Sequence, residues 1–279
     1  MKLLYGKPVA DEILTRLKAD IAGHEEKPGL AVILIGEDKA SQLYVNLKEK
    51  AAKQIGVEFC KYLIPEITAE SDVLKLVDLL NQDENIQGII VQLPLPAGFD
   101  TEKIIRSIDS QKDADGFHLE NAKQFLQGAG KVWPVFPSAI LRLIESSREE
   151  LAGKKAVIAA NSEEFGEMMQ EALRRSGISA GYVLAKAVPS NLGQIQAADI
   201  VVSAVGAPGL LKGGMFKEGA IIIDGGIKQV GKKIVGDVDF ASTEGKDGFL
   251  TPVPGGVGPV TIACLLENVY SAFVAQQKE

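Results

Sequence analysis

The chain has 279 residues, 46% hydrophobic and 24% charged, an ordinary globular balance that suits one large domain or two modest ones. Its net charge of −7 argues against nucleic acid as the main partner, and two histidines, His24 and His118, are too few for a histidine-rich metal centre, so no metal is expected. The first eight residues lack a long apolar signal core, no stretch of about 18 uninterrupted apolar residues occurs, and Cys60 and Cys264 fit no metal or redox motif, so the expectation is a cytoplasmic protein with two buried thiols and no membrane span.

Strand and helix signals alternate along the chain. Val9, Ile13, Leu17 and Ile21 recur every four residues and predict an amphipathic helix over 9–21. Residues 30–36 form a short apolar run ending in Gly36, the mark of a strand buried on both faces in a parallel sheet. A helix over about 40–55, a strand at 58–64, a helix at 71–81 and a strand at 88–93 follow, a series of right-handed βαβ crossovers. The rhythm breaks at 109–136, where residues 110–116 are polar and turn-prone and Pro134 and Pro137 frame the start of a helix at about 138–150. A domain boundary is expected there. A second α/β series has strands at 156–160, 182–186, 200–205 and 220–224. A last helix at about 258–275, apolar on one face, is free to pack on either domain.

Four stretches carry candidate chemistry. Ser41, Tyr44 and Lys48 stand at i, i+3 and i+7, one polar stripe beside an apolar stripe of Leu43, Leu47 and Ala51. The plain alternative is an ordinary amphipathic face with Lys48 snorkelling. A Tyr-x-x-x-Lys pair also suits a short-chain dehydrogenase, but the first strand ends in Gly36-Glu37-Asp38 without the required glycine series. Gln92 ends a buried strand before Pro94 and Pro96, at the strand end where open α/β sheets gather ligands, and otherwise serves as an edge-capping amide. Asp115 lies in Lys112-Asp113-Ala114-Asp115-Gly116, where it either meets a ligand or makes an Asx turn that Asp113 could make as well. Alternating Pro and Gly over 251–261 fix the backbone and strip it of side chains, so that a flat ligand can approach the main chain at Pro254, Gly255 and Gly256; a rigid connector is the other reading.

Tyr44-x-x-x-Lys48, Val91-Gln92-Leu93-Pro94-Leu95-Pro96, Lys112-Asp113-Ala114-Asp115-Gly116-Phe117-His118, Gly236-Asp237-Val238-Asp239-Phe240 and the 251–261 turn, in this order, resemble the methylenetetrahydrofolate dehydrogenase/methenyltetrahydrofolate cyclohydrolase family. The resemblance spans essentially the whole chain. It implies an α/β fold of two domains with a folate cleft between them: residues 1–119 with 258–279 as the folate domain, and 120–257 as a Rossmann-like domain binding NADP or less often NAD. It also implies a homodimer, and tetrahydrofolate derivatives as substrates. The implied reactions are oxidation of 5,10-methylenetetrahydrofolate and hydrolysis of 5,10-methenyltetrahydrofolate to 10-formyltetrahydrofolate. The implied catalytic group is Lys48, in proton transfer, with Gln92 holding it in register. Tyr44 is implied to stack on or hydrogen-bond the folate, Asp115 to accept from the pterin ring, and Pro254, Gly255 and Gly256 to line the same site.

The cofactor half departs from the family pattern. Where Gly-Arg-Ser and then Val-Gly-x-Pro are usual, this chain has Ala160-Asn161-Ser162-Glu163-Glu164-Phe165-Gly166-Glu167-Met168. Ser162 and Gly166 remain, and Ile227 matches a family cofactor-side position. The arginine that would read a 2′-phosphate is Asn161. A His-Ser-x-Thr element appears as Lys186-Ala187-Val188-Pro189, where Lys186 could still meet a phosphate, and Val135-Phe136 replace a Cys-Thr. Glu163 and Glu164 fall at a helix N-terminus, where phosphate usually binds. At about 4–8 Å and an effective dielectric of about 20, each unit-charge pair costs roughly 2–4 kcal/mol, against about 8 kcal/mol for micromolar affinity. Three readings follow: a bifunctional enzyme with altered cofactor contacts, a cyclohydrolase whose dehydrogenase function is weak or lost, and a non-catalytic folate-binding partner.

Overall fold

Seven consecutive buried residues make Gly29–Ile35 (β2) the natural centre of a sheet. The computed structural model, which describes residues 1–130, 132–231 and 233–277, places it between Glu58–Ile64 (β3) and Gly88–Val91 (β4), all parallel, in the order β3-β2-β4. Ala31, Ile33 and Ile35 of β2 pack with Val73, Val77 and Leu80 of helix α3 (Glu70–Gln82) and Ile104 of α4 (Thr101–Ser107). Most of α1 (Gly6–Ala22), α2 (Lys39–Ile55) and α5 (Leu119–Leu126) belong to the same unit. So does the greater part of the last helix, α9 (Val257–Gln276), whose Val269 Cγ2 lies 2.7 Å from where a Cβ on Gly88 would stand. This unit comprises Asp11–Phe125, Gly130–Val135 and Ile262–Glu279.

The other unit comprises Met1–Ala10, Leu126–Ala129 and Phe136–Thr261. Its six-stranded sheet is parallel throughout. The strands are Lys155–Ala160 (β5), Ser179–Leu184 (β6), Ile200–Ala204 (β7), Ile221–Asp224 (β8), Phe249–Leu250 (β11) and the two-residue Lys2–Leu3 (β1). The order is β1-β11-β8-β7-β5-β6. Strand β5 has β6 on one side and β7 on the other, so the direction of crossover reverses at β5, the switch-point arrangement of Rossmann-like sheets. Helices α6 (Val135–Glu145), α7 (Glu163–Arg175) and α8 (Leu192–Ala197) accompany it, and Lys228–Val230 (β9) pairs antiparallel with Lys233–Val235 (β10). Val157, Ala159, Val183, Val201 and Ile222 centre its core.

By contacts the division differs from the expected one at the N-terminus, over 120–125 and Gly130–Val135, which group with Asp11–Phe125, and over 258–261, which group with Phe136–Thr261. Met1–Ala10 group with Phe136–Thr261 because β1 pairs with β11, and a two-residue strand carries no sequence pattern. The strand expected at 182–186 runs Ser179–Leu184, with a 3-10 turn taking over at Ala185. Helix α9 is buried at five successive positions, 262–266, so its apolar surface is not confined to one face. Among the described residues it is the one helix long and apolar enough by composition to cross a membrane, a test that a buried core helix also passes. Cys264 is buried as expected, but Cys60 is only half-buried.

Candidate active site

Helix α2 begins where the Asp38 side chain accepts from Ser41 N at 2.7 Å and ends at Gly56, in the left-handed region with φ 90°. Its buried face is Ser41, Val45, Ala52 and Ile55. Leu43 and Leu47 are 53% and 43% exposed, which corrects the expected apolar stripe: Val45 sets the phase of the helix, and the leucines point outward. Tyr44 and Lys48 still flank the buried face, each half-exposed. Burial pushes the Tyr44 hydroxyl up, so it remains a hydrogen-bond donor at neutral pH.

Gln92 directly follows β4, and its backbone N–H donates to Ile33 O of the adjacent β2 at 2.9 Å. The Gln92 side chain meets Lys48: Nζ donates to Oε1 at 3.0 Å. Gln92 Nε2 donates to Leu93 O at 2.7 Å. A carbonyl only accepts, so Leu93 fixes the amide orientation and leaves Oε1 for the lysine.

The two aspartates of the 112–116 segment divide the work. Residues 112–114 run parallel to β4, with Ile89 N bonded to Lys112 O and Ala114 N to Ile89 O. Asp113 is buried and makes the turn. Its Oδ1 accepts from Gly116 N and Phe117 N at 3.1 and 3.3 Å. Its Oδ2 accepts from His118 N and Asn121 Nδ2 at 2.8 and 2.9 Å. Asp115 is thereby left free of turn duty, and its carboxylate forms no hydrogen bond or ion pair among the described residues. Part of its surface is open, yet protein atoms enclose the carboxyl. Burial therefore holds it above the usual carboxylate range, Lys48's charge pulls it part of the way down, and Asp113 pushes it up. Tyr44, Lys48, Gln92 and Asp115 all belong to one unit, with Lys48 bonded to Gln92 and close enough to Asp115 to act on its charge. Asn268, a lone amide in the apolar run of α9, donates to Ala114 O and Trp133 O at 2.9 Å each and ties down the backbone beside Asp115. Sequence reasoning missed it, although an asparagine amid buried apolar neighbours was the signal.

Pro254, Gly255 and Gly256 lie in the other unit. Gly256 is explained within the turn itself, since a Cβ there would stand 2.7 Å from Thr251 Cβ. Gly255 has φ 107° and meets only Pro252 Cγ, at 4.0 Å, so its face is open to an approaching ligand.

At the switch point Ser162 caps α7, its Oγ accepting from Phe165 N at 3.2 Å. The Glu164 carboxylate takes hydrogen bonds from its own N–H and from the Ser162 hydroxyl, which hold it below its usual range. The Tyr182 ring lies 2.6 Å from where a Cβ on Gly166 would stand. The Phe136 ring comes within 2.8 Å of a Cβ on Gly225 and packs against Phe165, the ring centroids 5.5 Å apart. Ile227 is 48% exposed. Beside it a carboxylate clasp binds the loops after β7 and β8. Asp237 accepts from Ser203 Oγ, Val205 N and Ala207 N at 2.6–2.7 Å. Asp224 accepts from Gly226 N, Asp237 N and Val238 N at 2.9–3.0 Å. Burial pushes Asp224 up to about 6, against the pull of those backbone bonds. No group of three or more His, Cys, Asp or Glu suited to a metal occurs among the described residues.

Two family models match the chain: "Tetrahydrofolate dehydrogenase/cyclohydrolase, catalytic domain" over residues 4–115 and "Tetrahydrofolate dehydrogenase/cyclohydrolase, NAD(P)-binding domain" over 134–277. The chain is 41% identical over 276 residues to a protein of Geotalea uraniireducens named "Bifunctional protein FolD", covering 97% of this chain and 98% of that one. Among solved structures it is similar to the bifunctional enzyme FolD, methylenetetrahydrofolate dehydrogenase/cyclohydrolase, of Campylobacter jejuni, with TM-score 0.93, 37% identity and 99% of each chain covered. It is also similar to the Trypanosoma brucei enzyme complexed with NADP cofactor and an inhibitor, with TM-score 0.92, 32% identity, and 99% of this chain and 98% of that one covered.

Proposed function

Because the chain belongs to the tetrahydrofolate dehydrogenase/cyclohydrolase family, we propose that it hydrolyses 5,10-methenyltetrahydrofolate to 10-formyltetrahydrofolate at Lys48, with NADP-dependent oxidation of 5,10-methylenetetrahydrofolate as its second, weaker activity. The observation that carries the reading is the Lys48 Nζ–Gln92 Oε1 bond of 3.0 Å beside the enclosed Asp115 carboxyl.

The methenyl carbon is an electrophilic iminium carbon. Water adds to it and loses one proton, leaving a C–OH; as one ring C–N bond breaks, that hydroxyl gives up its proton to become the formyl C=O, and the departing nitrogen gains a proton. The net products are the formyl compound and one H⁺. Lys48 takes the proton from the incoming water and returns it to the departing nitrogen. Gln92 is a positioning residue: its fixed amide holds Nζ in place, so the proton carrier is oriented before substrate arrives. Asp115, whose carboxylate has no hydrogen-bond partner among the described residues, accepts from the N–H groups of the pterin edge. Tyr44 supplies a ring face and a phenolic donor. The open face of Gly255 suits a flat ring approaching the main chain.

The implied dinucleotide has a switch-point sheet to receive it. The donor set at its phosphate end does not fit, because carboxylates and self-capping occupy it. No step is therefore routed through the cofactor. A cytoplasmic homodimer completes the reading, supported by family membership, and light scattering on the purified chain tests the dimer.

The activity is tested by following the near-ultraviolet absorbance of methenyltetrahydrofolate. Wild type should accelerate its loss over buffer and Lys48→Ala should not. No acceleration by wild type, or equal acceleration by the variant, refutes the assignment.

A further inference from the structure

The β5–α7 corner is where a Rossmann-like sheet presents a helix N-terminus to a phosphate. That presentation needs free N–H groups, a bare glycine face and no competing anion. The Phe165 N–H is bonded to Ser162 Oγ at 3.2 Å. Glu164 sets an exposed carboxylate in this first turn beside the Ser162 cap, held below its usual range by hydrogen bonding within the turn. Glu163 adds a second exposed carboxylate in the same turn. The glycine faces are covered as well. The Tyr182 ring lies over Gly166, the Phe136 ring over Gly225, and the Asp237 carboxyl over Gly226, each within 2.8 Å of where a Cβ would stand. No basic side chain is bonded to this turn among the described residues to offset the charge.

We propose that Glu163 and Glu164 act as a built-in anion at the phosphate position of α7, so that this chain discriminates against phosphorylated dinucleotides and rejects NADP, with its additional phosphate, more strongly than NAD. The inference rests on reading the Phe136–Thr261 unit as the family's dinucleotide-binding domain. It is independent of the chemistry at Lys48. The consequence is an enzyme whose hydrolytic step runs without a bound dinucleotide and whose hydride step is limited by cofactor occupancy.

Calorimetric titration of the full-length protein with NADP and with NAD tests this, alongside methenyltetrahydrofolate hydrolysis on the same preparations. Three forms are compared: wild type, the double variant Glu163→Gln/Glu164→Gln, and Glu150→Gln, a change at an exposed residue outside α7. Removing each carboxylate is expected to tighten NADP binding about tenfold and NAD binding less, with Glu150→Gln unchanged and hydrolysis unchanged throughout. A second reading needs no variant. Binding to wild type should tighten as potassium chloride rises from about 50 to about 300 mM, because salt screens repulsion. The proposal is overturned by a double variant that binds NADP no more tightly than wild type, or by wild-type binding that weakens with salt. Loss of hydrolysis in wild type would instead condemn the Lys48 reading and leave the binding result interpretable.

Discussion

Asp113 and Asp115 are two residues apart, chemically identical, and assigned opposite work, so the same substitution at each should give opposite results. In Asp113→Asn the amide keeps one oxygen and turns an NH₂ group toward two donors. The affected pair is either His118 N and Asn121 Nδ2, at 2.8 and 2.9 Å, or Gly116 N and Phe117 N, at 3.1 and 3.3 Å. Hydrogen bonds to a charged acceptor contribute about 1.5–3 kcal/mol each, so losing two costs about 3–6 kcal/mol. That is a large part of an ordinary stability of about 5–15 kcal/mol, and it should lower Tm by roughly 10 °C. Asp115→Asn loses no internal bond. Its carboxyl is raised by burial, so the stability its protonation gives is complete below the unfolded pKa and gone once pH rises past the folded one. The unfolded chain ionises this acid more readily than the folded one as pH rises, and the amide, which has no proton to lose, escapes that penalty at pH 7. Asp115→Asn should therefore melt at or above wild type at pH 7 and lose that advantage in acid, while methenyltetrahydrofolate hydrolysis falls sharply. Calorimetric melts at pH 4 and pH 7 with the absorbance assay read both arms. Equal melting losses at the two positions would refute the division of labour.

Three further outcomes are expected. Gln92→Met removes the acceptor that holds Lys48; at about 1.5–3 kcal/mol, hydrolysis should fall roughly 10- to 100-fold with Tm little changed, and a rate within twofold of wild type would show that Lys48 needs no such orientation. Asp224 is pushed up to about 6, so its protonation stabilises the fold below about pH 4 and that stabilisation is lost by about pH 6; between pH 4 and 7 wild type should lose about 3 kcal/mol relative to Asp224→Asn, and parallel stability curves for the two proteins would contradict the assignment. Gly226→Ala would set a Cβ 2.2 Å from the Asp237 carboxyl; it should cost about 2–4 kcal/mol in chemical denaturation, and a neutral result would mean that the clasp yields without loss.

Much of the fold was legible because the parallel strands are buried on both faces and read as continuous apolar runs. β2 and β4 are buried at every position, and β5 at all but its first. Strand β6 was shifted because its burial alternates and Pro189 and Lys186 gave no clean stop. The short helices α4 and α5 offered too few turns to show a period. β1 is set by pairing with β11, nearly 250 residues away in sequence. The phase of α2 was misjudged because Leu43 and Leu47 are as apolar as Val45, and only the sheet beneath decides which of them faces inward.

At the site, the lysine and its glutamine stood out as residues, but their bond is a tertiary event between α2 and the end of β4. The choice between Asp113 and Asp115 was closed to sequence for a related reason. Both precede a glycine within three positions, and either could cap a turn. What settles it is the parallel bridge of Asp113 to Ile89, which fixes the register of the segment on β4 and aims the Asp113 carboxyl back at four donors. The Asp115 carboxylate, one step beyond the last bridged residues, then accepts from no donor among the described residues. The Asp224–Asp237 clasp had a fainter signal: Gly226 and Gly236 each sit where a Cβ would strike the opposite carboxyl, at 2.2 and 2.0 Å. Two glycines ten residues apart, each two from an aspartate or adjacent to one, mark the place where a carboxylate is pressed against bare backbone. The same backbone carries Val205, Ala207 and Ile227 beyond the carboxyl ends of β7 and β8, the end at which open α/β sheets generally gather ligands, so the clasp sets the geometry of that edge.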